Sequence, residues 1–259
     1  MNAVIAMKKG LSAEIYKFRR TFTLWMLILA PAFIPAINLI IFWSKGHEVI
    51  KEGQNPWDLL VQFSIDPGNF LFPFFVMIIA LFVNNIEHSA NTWKLIYTQP
   101  LQRTTVYLAK MKVYIVMILF SLMLFGLFSM SVGYAMQVIR PELGFDQPFD
   151  PGLLFGACFK VFICSLGYAS IQFAISQKWK NLILPLGIGL AGFISFMILV
   201  QGWKYAPYHP YGYQILGLGN LRSPEYELWG NMEFVWRSLG VATVVFVLSG
   251  LDMNRKRII

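Results

Sequence analysis

Charge is scarce in this chain: Asp, Glu, Lys and Arg make up 13% of its 259 residues, against 57% hydrophobic ones. Soluble domains carry about twice that charged share, so an aqueous globule is excluded and the bilayer is the expected solvent. Cysteine is nearly absent as well. Cys158 and Cys164 stand six residues apart on one predicted helix, a spacing that neither stacks them on one face nor matches a metal site, and they read as small apolar core residues. Histidine is limited to His47, His88 and His209, all outside the apolar runs and none at ligand spacing, so no metal site is expected. The chain also lacks a G-x-x-x-x-G-K-[ST] phosphate loop and a G-x-S-x-G nucleophile elbow. Without convergent nucleophiles, acids or ligands, no catalytic residue and no cofactor is expected within it.

What is present is a series of apolar runs able to cross a hydrocarbon core of about 30 Å. Six are expected as spans, at 21–42, 70–86, 113–136, 153–175, 182–200 and 235–251, each helical because backbone groups in lipid must be satisfied within the segment. The second is short and holds Pro73. The first is expected to stay as an anchor rather than to be cleaved, being long and followed by further spans. The fold class is thus an all-α membrane protein, with residues 1–20 as a separate interfacial helix and 21–259 as one membrane domain.

The net charge of +8 takes its meaning from where it lies. With the N-terminus inside, fourteen cations and three acids fall on the inner side, while the outer loops hold five cations and ten acids. The positive-inside rule then puts both termini in the cytoplasm. The basic excess becomes a belt along the inner leaflet, and nucleic acid is not an expected partner.

Residues 1–20 place Leu11, Ile15 and Phe18 at helical spacing, with Phe22 just beyond, among Lys8, Lys9, Lys17, Arg19 and Arg20. That pattern suits an amphipathic helix on the inner leaflet, with a plain topogenic basic tail as the alternative. Trp43 to Asn69 reads as the first outer loop. The last outer connector, Gln201 to Glu233, is rich in Tyr, Trp, Pro and Gly. Its apolar middle, Tyr213 to Leu221, is too short to span, so it is either a re-entrant element or an aromatic-belt loop.

Polar groups at membrane depth are expensive and usually functional. Asn38, Lys160 and Gln172 are the candidates for a translocation path, although Lys160 and Arg237 also lie within reach of the outer interface by snorkelling. Gly187, Gly189 and Gly192, beside Ala191, allow close helix approach, and fit either an intrachain contact or an interface between subunits.

The connector after the second run remains. Trp93, Ile96, Tyr97 and Pro100 share one face of a short helix over 90–99, with Asn91, Lys94 and Thr98 toward another, so this helix should lie across the membrane surface. Glu87, Thr92, Trp93, Lys94, Pro100, Arg103 and Lys110 follow the order and spacing of the first cytoplasmic connector in permease subunits of ABC-2 type exporters, which the chain resembles over nearly its whole length. Ala90 and Asn91 stand where that family often has a glycine before the threonine.

The resemblance implies six spans, with 90–99 as a coupling helix docking on a dimer of separate ABC ATPase subunits that hold ATP and Mg. It implies a second permease, identical or related, meeting the first along spans one and five. It also implies a bacterial cytoplasmic (inner) membrane location and export of a hydrophobic or amphipathic substrate, such as the antimicrobial peptides handled by compact bacteriocin and lantibiotic immunity permeases. The competing readings are a non-transporting sensor or assembly subunit, and a secondary transporter. The absence of paired membrane carboxylates weakens the last of these.

Overall fold

The computed structural model describes residues 3–19, 21–89, 102–179, 181–219 and 227–255. Among them all regular structure is helical: α1 (Ala3–Phe18), α2 (Phe22–Val49), α3 (Pro56–Ser89), α4 (Arg103–Ile139), α5 (Pro151–Lys178), α6 (Ile183–Leu199), α7 (Tyr213–Leu218) and α8 (Met232–Arg255). Short 3-10 turns occur at Pro141–Leu143, Ala206–Tyr208 and Pro210–Gly212. Five helices among the described residues, α2, α3, α4, α5 and α8, are long and apolar enough to cross a membrane, and α6 is apolar but has 17 residues.

The helices outrun the apolar runs. Most of the expected outer loop from Trp43 to Asn69 is helix, leaving only residues 50–55 as the connection between α2 and α3. Asp58, Asp66 and Pro67 interrupt the hydrophobic run but not the helix, because Trp57, Leu60, Val61, Ser64 and Ile65 keep the 3.6-residue period on the buried face while Asp58 and Asp66 point outward. Asn55 Oδ1 accepts the Trp57 amide at 2.9 Å and Pro56 follows it, a cap and first-turn proline that start α3 cleanly. α4 likewise begins at Arg103, ten residues before its expected start. Its 37 residues reach about 55 Å, well past a hydrocarbon core.

The bundle has two ends. At one, here the connector end, α3 stops and α4 starts, and α1, the starts of α2 and α6 and the ends of α5 and α8 gather around them. At the opposite end, Trp57 is buried beside Gly133, its Nε1 donating to the Phe145 carbonyl at 3.0 Å and its ring stacked 4.2 Å from Phe149. Gly133 has no side chain because the indole fills that space. Between the ends, α5 is the central post, contacting α3, α4, α6, α7 and α8. Cys158 and Cys164 are free and buried on it.

Candidate coupling end and membrane-facing slot

Thr92, Trp93, Lys94 and Pro100 lie outside the described residues, as do Arg20 and the Glu87 side chain. What the structure does show is the pair of helical stalks that bracket this connector. Lys110, on α4, is almost wholly buried, and its Nζ donates to the Val83 carbonyl of α3 at 3.1 Å. A buried ammonium needs such an acceptor to offset its loss of water. The next α3 residue, Asn84, donates from Nδ2 to Ser176 Oγ of α5 at 2.7 Å. One turn before Lys110, Tyr107 donates to the Phe246 carbonyl of α8 at 2.7 Å and sits 2.5 Å from Ser249 Oγ.

Four helices, α3, α4, α5 and α8, are therefore cross-tied close to the connector. In a medium without water, such bonds have little competition and each broken partner is costly.

α1 is tied to the same place. Gly10, Glu14 and Phe18 form its buried stripe at i, i+4 and i+8, and a side-chain carbon on Gly10 would stand 3.3 Å from Ala109 Cβ of α4. Glu14 pairs with Lys17. Of the apolar residues expected on one leaflet-facing stripe, Phe18 is instead buried, Leu11 is half-buried, and Ile15 and Phe22 are exposed. The helix thus has a docked face and an outer face. Arg19, exposed after its end, stands 5.9 Å from the Tyr16 ring.

The sequence-selected path residues do not meet. Asn38 donates to Ser64 Oγ at 3.0 Å and ties α2 to α3. Lys160 is fully buried and donates to the Leu228 carbonyl at 2.6 Å, while Gln172 donates to the Pro185 carbonyl at 2.9 Å. The last two lie about 18 Å apart along α5. Each polar group has found a nearby acceptor, and none of the three lines the apolar cavity beside Pro31 of α2. Among the glycines, Gly189 faces Gln172 Oε1 and Met77 Sδ, and Gly192 faces the Tyr211 ring, so both seat α6 on its own chain. Gly187 is exposed, and a side-chain carbon placed there would meet nothing within 4 Å.

That cavity is a slot of about 390 Å³ walled by α2, α3, α4 and α5, with Met26, Ala30, Pro31, Gly68, Phe72 and Phe125 among its lining residues. Its volume is that of a small-ligand pocket. Sequence reasoning missed it because its walls are apolar side chains like those of any span, and only the small or ring-closed residues Ala30, Pro31 and Gly68 hinted at room between helices.

At the opposite end, the segment after α6 turns back into the bundle. Tyr211 stacks 5.5 Å from Tyr168 of α5, and Tyr168 donates to Gln214 Oε1 of α7 at 2.6 Å. Gln214 in turn donates to Asn69 Oδ1 at 2.9 Å. Arg237 holds the entry of this segment, donating to the Pro207 carbonyl at 2.8 Å with its guanidinium 4.5 Å from the Tyr208 ring. His209 Nε2 lies 3.1 Å from Ser195 Oγ, and burial holds this imidazole below the ordinary histidine pKa.

Residues 10–196 match the sequence model of a family described as "ABC-2 family transporter protein". The match takes in the connector, both stalks and every wall of the slot, and ends within α6. No curated protein matches the chain.

Proposed function

The chain belongs to the ABC-2 transporter family, whose members are membrane components without a nucleotide-binding domain of their own, and from that premise we propose that it is the permease of an ATP-driven exporter. The observation that carries this is the cross-tied connector end. Lys110, Asn84 and Tyr107 join the helices on both sides of residues 90–101 to α5 and α8, which is the construction needed to turn a local push into a movement of the whole bundle. In this reading α6 crosses as a sixth span, since 17 apolar residues reach about 25 Å. The termini and the connector face the cytoplasm of a bacterial cell, and α1 lies along the inner leaflet.

A separate ATPase dimer holds ATP and Mg and docks on the connector, where Trp93, Lys94, Pro100 and Arg103 supply the contact. A second permease, identical or related, completes the transporter, with Gly187 on the exposed face of α6 at its interface. The cargo is hydrophobic or amphipathic, as the apolar slot supports, and an antimicrobial peptide is one cargo of that kind. Co-expression with a candidate ATPase and purification in detergent tests the reading. A complex that hydrolyses ATP faster with cargo supports it, and a permease that never retains an ATPase sinks it.

A further inference from the structure

The slot is lined along α3 from Ile65 to Ile78, about 20 Å of helix. Its volume of about 390 Å³ lies along that length between apolar walls, an elongated space that suits an extended hydrocarbon chain. Its two polar wall residues are engaged elsewhere: Ser121 Oγ donates to the Leu27 carbonyl at 3.0 Å, and Asn69 Oδ1 accepts from Gln214 at 2.9 Å. No charged side chain lines the shaft, so a charged head must stay outside. The wall residues Leu29 and Phe33 of α2 and Leu71 of α3 are exposed, which makes entry lateral, from the bilayer.

The position of the slot says what that head is. Its first α2 residue, Met26, lies one turn after the helix start at Phe22, and the turn leading into α2 carries the exposed Arg19. Tyr16 and Trp25, both exposed, flank this turn, giving the mix of aromatic rings and a cation found at a membrane interface. Lys8 and Lys9 are exposed on the same α1. We propose that the slot binds one alkyl chain of an anionic amphiphile, drawn from the leaflet against which α1 lies, with its charged head at Arg19. The site stands independently of export; that its occupant is cargo rests on the exporter reading.

The test uses the full chain in nanodiscs, without an ATPase. Stearic acid spin-labelled at mid-chain, in its ionised form, is compared with its methyl ester, and electron paramagnetic resonance reads the immobilised fraction. The acid is expected to show an immobilised component that Ala30→Phe removes by filling the slot. Leu29→Trp, a change at an exposed position that leaves the packed core intact, is expected to reduce it severalfold by blocking the mouth. Arg19→Gln weakens acid binding about fivefold and leaves the ester unchanged. Spin-labelled phosphatidylglycerol separates the sources: immobilisation that stearic acid displaces identifies a bilayer lipid, and immobilisation of stearic acid alone identifies a free single-chain amphiphile. Either supports the site. An immobilised component that persists in both Leu29→Trp and Ala30→Phe overturns the slot, and equal binding of acid and ester overturns the anionic head. Because no ATPase is present, failure of the exporter reading would leave this result untouched.

Discussion

The ammonium of Lys110 and the carbonyl of Val83 meet at 3.1 Å inside the bundle, joining the first turns of α4 to the last turns of α3. Those two helices bracket the segment proposed above as the contact for an ATPase. A link at this point decides whether force on one stalk reaches the other.

Lys110→Met keeps the length and apolar stem of the side chain and removes its donor. A hydrogen bond to a charged group contributes about 1.5–3 kcal/mol, so coupling is expected to fall about tenfold. The variant should still insert and retain the ATPase, while cargo-stimulated ATP hydrolysis drops toward the basal rate. Comparing stimulated and basal rates of the purified complex checks this.

Trp57 and Gly133 form a matched pair at the opposite end, one ring filling the space that the other residue leaves. Trp57→Ala should cost about 3–5 kcal/mol through the cavity it opens. Gly133→Leu should be destabilising too, by forcing the indole from its stack on Phe149. Unfolding in detergent, followed by tryptophan fluorescence for Gly133→Leu and by circular dichroism for both, measures the loss.

Two glycines on α6 predict opposite outcomes. A side chain at Gly192 would stand 2.7 Å from Tyr211 Cε2, whereas one at Gly187 would meet nothing within 4 Å. Gly192→Leu is expected to lower the melting temperature of the single chain by pushing Tyr211 off Tyr168. Gly187→Leu is expected to leave melting unchanged and to weaken association between permease copies, read by crosslinking in membranes.

His209 gives a pH dependence with a definite sign. Its folded pKa lies below the ordinary value of 6.5 because burial disfavours the imidazolium, and its Nδ1 has no hydrogen-bond partner among the described residues. The unfolded chain therefore binds a proton more readily than the folded one, and stability falls as pH drops below about 6.5. His209→Gln should remove that component. Melting temperatures of both proteins across pH 5.5–7.5 would show a slope in the parent that is absent from the variant.

The membrane class, the helical architecture and the apolar α6 were legible in the sequence, because long apolar runs in lipid have few structural solutions. Helix ends were not. Asp58 and Asp66 broke the hydrophobicity average of α3, yet the period of Trp57, Leu60, Val61, Ser64 and Ile65 already carried the helix on. Lys110 was singled out through its place in the connector pattern, and the structure adds the carbonyl it holds. Asn38, Lys160 and Gln172 drew notice for their polarity, but a polar side chain in a bundle is first a tie to a neighbouring helix, and the sequence does not say which carbonyl lies within reach. The slot was invisible for the opposite reason: it is a gap between ordinary apolar residues of four helices.

The central claim, that a separate ATPase drives this bundle through the connector end, is tested most directly by transport in sealed vesicles containing the permease and its ATPase. A fluorescent single-chain anionic amphiphile serves as cargo, and its movement is followed with ATP, with a non-hydrolysable analogue, and with an imposed proton gradient alone. The account predicts movement only with hydrolysable ATP, reduced about tenfold by Lys110→Met while the ATPase remains bound. Movement driven by the proton gradient without ATP, or unchanged by Lys110→Met, would contradict it.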